Sequence, residues 1–177
     1  MDALSLHPGG ASTRGWAGIR AHGAAAAGSL LFRWACFLAM TWMALLAESR
    51  PAPHLPDAVV DAVPYVPWVD RVNYVAWLLA YVPVALGLLW EDAPRFVRYM
   101  VTAGGLALLR GACILATGLG PVRGPDVNAG MDPATRWAAF LEVASPVGVF
   151  GRGAAHVYLT KDLFFSGHTA TTFLLLL

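Results

Sequence analysis

Residues 72–90 read VNYVAWLLAYVPVALGLLW, nineteen consecutive positions without a charged side chain. A hydrocarbon core of about 30 Å is crossed by a helix of about 20 apolar residues, so this stretch predicts a membrane span. Pro83 interrupts it, which membrane helices tolerate when neighbours satisfy the freed carbonyl. Upstream, Ala24 to Ala47 is apolar except for Arg33, which is expected near the start of a first span with its guanidinium snorkelling toward the headgroups. Downstream, about Phe96 to Leu119 forms a third span. Leu163 to Leu177 begins a fourth, but fifteen residues reach only about 22 Å, so the chain is expected to continue beyond Leu177. The fold expected is an all-α, polytopic transmembrane helical bundle with about four spans.

Composition points the same way. Of 177 residues, 58% are hydrophobic and 13% charged, about half the ~25% charged share of soluble domains. A net charge of +1, with Lys161 as the single lysine, leaves no basic patch for phosphate neutralisation, which excludes nucleic acid as a partner. Cys36 and Cys113 both lie in apolar stretches, so neither a disulfide framework nor a cysteine metal site is expected. Residues 1–28 are rich in Gly, Ala and Ser and read as a flexible tail, leaving 29–177 as the membrane domain. Residues 120–161, broken by Gly and Pro, predict a long extramembrane loop. Within it Thr135 to Ala144 has helical apolar spacing, either as an interfacial helix or as an ordinary loop helix. Tyr65, Trp68, Trp77 and Trp90 are candidate interfacial anchors.

Two places carry polar residues where a bilayer interior penalises them. Arg110 lies near the centre of the third span, and such an arginine usually faces a protein interior or a wet cavity. Thr117, seven positions on, shares its helix face, so guanidinium and hydroxyl together suit an oxyanion such as phosphate. The structural alternative is an arginine paired with a carboxylate of another helix, or one closer to the interface. The second place is Asp162-Leu163-Phe164-Phe165-Ser166-Gly167-His168-Thr169. Ser166 suits an N-cap, Gly167 permits close approach, and the first turn aims free N–H groups at an anion. His168 would then stand where an imidazole can exchange a proton with a phosphate ester oxygen. The alternative is a capped helix followed by a structural histidine. His7, His22 and His156 have no partner at metal-ligand spacing, and no metal site is expected. In His54-Leu55-Pro56-Asp57, a rigid turn enters the second span and Asp57 can cap a short helix.

Together these segments resemble the sphingomyelin synthase-like family, within the type 2 phosphatidic acid phosphatase superfamily. Leu55-Pro56-Asp57 is similar to the family's Pro-Leu-Pro-Asp, with His54 in place of the first proline. Arg98, Arg110 and Thr117 have the spacing of the third-span motif, with Tyr99 where a second arginine is typical and Leu108 where a tyrosine is typical. Asp162, three residues, then Ser166-Gly167-His168-Thr169 is the most specific match, with Thr160 and Lys161 where Cys and Gly are usual. The resemblance covers about residues 30–177 and four of the family's six spans.

The resemblance implies an integral membrane lipid phosphotransferase that moves a phosphocholine-type headgroup from a phospholipid donor to a ceramide-type acceptor. It implies no cofactor, and a location in an endomembrane, Golgi-like, or the plasma membrane. His168 would be the acid and base, Arg110, Ser166, Gly167 and Thr169 would hold the phosphate, and Asp162, Asp57, Arg98 and Thr117 would support them. The family's second histidine and its aspartate belong to a later span, so these residues alone are expected to be inactive. A lipid phosphate phosphatase and an inactive membrane scaffold are the competing expectations. Phe165 replaces the proline of the phosphatases' Pro-Ser-Gly-His, which favours transfer over hydrolysis.

Overall fold

The computed structural model describes residues 14–54, 57, 58, 62, 64, 66–121, 125–145, 159–161 and 167–176. The described residues form no strand, and their longer helices are α1 Gly15–Glu48, α2 Pro67–Glu91, α3 Ala93–Ala116, α4 Pro133–Ala144 and α5 Gly167–Leu176. The fold is all-helical. Of the four spans expected, α1 and α3 are long and apolar enough to cross a membrane, whereas the apolar part of α2 among the described residues is Leu78–Glu91 and α5 has ten residues.

Local chemistry sets the helix ends. Gly15 opens α1 at φ 64°, and its missing Cβ faces the Trp90 ring. The helix runs without proline until Pro51, which disfavours helical geometry at Arg50. This moves the boundary expected at residue 28, because Gly15 to Gly28 are helical. The Ala-rich run 24–27 consists of the strongest helix former and is not a linker. Arg33 consequently lies eighteen residues after Gly15, at mid-helix, with Nη1 buried and without a hydrogen-bond partner among the described residues. It does not snorkel from a helix start. Asp92 caps α3 by accepting from the Arg95 N–H at 2.9 Å, and Asp132 caps α4 by accepting from Ala134 and Thr135 N–H.

The centre of the bundle is the parallel pair α1 and α3. Cys36 and Met40 cluster with Ala107, while Ala44 and Ala47 cluster with Ile114. Gly104 meets Phe32 and Cys36, and Gly111 meets Met40 and Met43. Ala103, Ala107 and Gly111 follow a small-xxx-small spacing, which lets two helix backbones approach closely. At the Gly15 end, Ala85 of α2 joins Ala26, Phe96, Tyr99 and Met100, and Leu174 and Leu175 of α5 pack on that cluster. Leu159 packs by Ile114 at the opposite, Ser49 end. α5 therefore runs antiparallel to α3.

Candidate functional site

A buried polar cluster closes the Ser49 end. Glu48, the last residue of α1, is 1% exposed. Its carboxylate accepts from Asn128 Nδ2 at 3.0 Å, from Thr160 Oγ1 at 2.8 Å and from the Lys161 backbone N–H. Lys161 Nζ donates to the carbonyls of Glu48 and Arg50 at 2.7 and 2.6 Å and pairs with Asp126 Oδ2 at 2.8 Å. The ammonium thus has two carbonyl acceptors and one carboxylate counter-charge, and it sits at the negative end of α1. Arg50 donates to the Leu115 carbonyl at the end of α3. Two cations thus satisfy the final carbonyls of the two central helices, and the segments on either side of the long loop are fixed to α1.

From Lys161 the chain has to reach Gly167, and α5 then descends along α3 so that the Tyr99 hydroxyl donates to the Thr171 carbonyl at 3.4 Å. Tyr99 and Arg110, eleven residues apart, differ by about 20° around the α3 axis and by about 16 Å along it. The face of α3 that meets α5 is therefore the face that bears Arg110. Gly167 and His168 precede Thr171 by about one turn, so their backbone lies along α3 between the levels of Tyr99 and Arg110. Arg110 is half-buried and directs Nη1 toward Met40 Sδ of α1 at 3.8 Å.

The other expected site residues are distributed unevenly. Thr169 is exposed in the first turn of α5. Thr117 keeps the azimuth of Arg110, but it terminates α3, donates to the Cys113 carbonyl at 2.6 Å and lines a cleft with Ala47, Arg50 and Leu119. Arg98 is exposed and lies about 120° around α3 from Arg110, so the structure separates these two. Asp57 is exposed in the connection between α1 and α2. Asp162 and Ser166 lie outside the described residues, and for Gly167 and His168 the description covers the helical backbone. His54 Nδ1 contacts the Pro121 carbonyl at 2.8 Å, tying that connection to the segment after α3.

Sequence reasoning missed Glu48 and placed Arg33 near a helix start instead of at mid-helix. Glu48 has one signal, an acid closing a long apolar run, but its partners are up to 113 positions away. The Tyr81 and Tyr99 rings lie 6.4 Å apart where α2 meets α3. Among the described residues, no three His, Cys, Asp or Glu side chains gather into a metal site. Comparison with protein-family models, with curated proteins and with solved structures finds no match to this chain.

Proposed function

We propose that the chain is the membrane-embedded part of a lipid headgroup phosphotransferase of the sphingomyelin synthase type. The observation that carries this reading is the Tyr99–Thr171 hydrogen bond, which sets α5, opening at Gly167, against the side of α3 whose helical phase Arg110 shares. A guanidinium and a helix start on one side of α3 offer an oxyanion two sources of positive charge. The membrane setting is supported by Leu31, Leu79, Leu86 and Leu109, which expose apolar side chains around three helices where a soluble protein would cover them.

In the proposed chemistry, His168 protonates the diacylglycerol oxygen as its bond to phosphorus breaks. The phosphorus bonds meanwhile to a second histidine, which the family resemblance assigns to a later span. The ceramide hydroxyl then gives its proton to His168, its oxygen bonds to phosphorus, and the second histidine is released. One headgroup changes carrier, and no oxidant or metal enters the balance.

The test is an assay with phosphatidylcholine and fluorescent ceramide on membranes containing the reading frame extended past Leu177, alongside the 177 residues alone. Transfer by the extended protein and none by the shorter one is expected. Release of soluble phosphate from a lipid phosphate, without ceramide labelling, would favour the phosphatase reading. A reading frame that stops after Leu177, with no turnover, would favour a membrane scaffold.

A further inference from the structure

Tryptophan contacts stand at both ends of the bundle. At the Gly15 end, Trp16 and Trp90 meet edge to face with ring centroids 5.6 Å apart, and are 67% and 43% exposed. At the Ser49 end, Trp42 of α1 stands edge-on to Trp137 and Phe140 of α4, at 5.9 and 5.5 Å. Trp16 and Trp42 are twenty-six residues apart on one continuous helix, which makes the two groups about 39 Å apart. A bilayer measures about 40–45 Å including its headgroup regions, where Trp rings concentrate. Trp68 and Trp90 bracket α2 in the same sense, twenty-two residues or about 33 Å apart.

α4 is fixed at the level of Trp42, and it keeps an apolar stripe outside the protein. Trp137 and Leu141, one turn apart, are 52% and 51% exposed, whereas Ala139 on another side is buried. Arg136 is turned back to the Met131 carbonyl at 3.1 Å. Through the Trp42 contact the stripe adjoins α1 at the Ser49 end.

We propose that α4 is an interfacial foot, which lays its Trp137 and Leu141 side into the headgroup and acyl boundary of the leaflet at the Ser49 end. The occupant of this surface is lipid. Such seating holds Asp126, Asn128 and the Lys161 cluster at the membrane surface. The inference rests on the membrane reading of the preceding subsection.

The experiment uses the full chain in phosphatidylcholine vesicles containing a minor share of phosphatidylglycerol. Cys36→Ala and Cys113→Ala remove the native thiols, and Leu141→Cys or Thr135→Cys carries one nitroxide label. At Leu141 the label should collide more with oxygen than with a water-soluble nickel chelate, and at Thr135 the ratio should reverse. A nickel-dominated signal at both positions overturns the inference. Loss of the protein from the vesicles in alkaline carbonate overturns the membrane reading itself, and is read before any label. Should the labelled variants fail to fold, quenching of the unmodified protein by brominated lipid, compared with Trp137→Phe, supplies the second measurement. Shallow-bromine quenching that falls on substitution supports the foot, and identical quenching contradicts it.

Discussion

The Tyr99 hydroxyl donates to the Thr171 carbonyl at 3.4 Å, a long hydrogen bond that joins α3 to α5 across 72 positions of sequence. Through it, the helix that opens at Gly167-His168 is registered against the face of α3 bearing Arg110. Tyr99→Phe keeps the ring and removes the hydroxyl, and should destabilise the protein by about 0.5–1.5 kcal/mol. Tyr99→Ala also empties part of the Phe96 and Met100 cluster, and should destabilise it by about 3–5 kcal/mol. Thermal unfolding in detergent micelles reads both.

Close approach of α1 and α3 depends on two glycines. A Cβ on Gly111 would stand 3.0 Å from Met40 Cα, and one on Gly104 would stand 2.7 Å from the Phe32 ring. Gly111→Ala, with backbone in the way, should destabilise by about 1–3 kcal/mol. Gly105 has no neighbour within 4 Å of such an atom, so Gly105→Ala should be stabilising by up to about 1 kcal/mol. Melting temperatures of the two variants should move in opposite directions.

Lys161 and Glu48 predict a large, local loss. Lys161→Met leaves Asp126 without its ion partner and removes the Nζ donor to the Glu48 and Arg50 carbonyls, and should cost about 3–5 kcal/mol. Glu48→Gln retains one acceptor oxygen and should cost less. Limited proteolysis should show the segments around 125–131 and 159–161 opening before α1 and α3.

Asp132 makes α4 acid-sensitive. The Thr135 hydroxyl, followed by the Thr135 and Ala134 N–H groups, holds its carboxyl below the usual range. A lowered folded pKa means that the contribution to α4 is complete above the unfolded value of about 3.9 and is lost as pH falls through the folded value. Helicity of α4, followed by hydrogen exchange of its first turn, should therefore decline only in strong acid. Asp132→Ala should remove that pH dependence.

Much of this arrangement is legible in sequence where the physics is local. The apolar runs locate α1, α2 and α3, the spacing 110 to 117 puts Arg110 and Thr117 on one azimuth, and the apolar spacing of 135–144 locates α4, which begins two residues earlier at Pro133. Composition misleads at 15–28, where glycine and serine suggest a linker while alanine supplies the helix. Arg33 follows from the same error, since moving the helix start changes a peripheral residue into a central one. Glu48, Lys161 and Asp126 are ordinary charges in sequence, and only long-range chain closure brings them together. Arg98 has motif spacing, yet helical phase turns it away from Arg110.

The most direct measurement is the rate of phosphocholine transfer from phosphatidylcholine to fluorescent ceramide by the protein extended beyond Leu177, with and without His168→Ala. Membrane insertion is followed in parallel. The account predicts that transfer falls to background while insertion is unchanged. Equal transfer by the two proteins would contradict it.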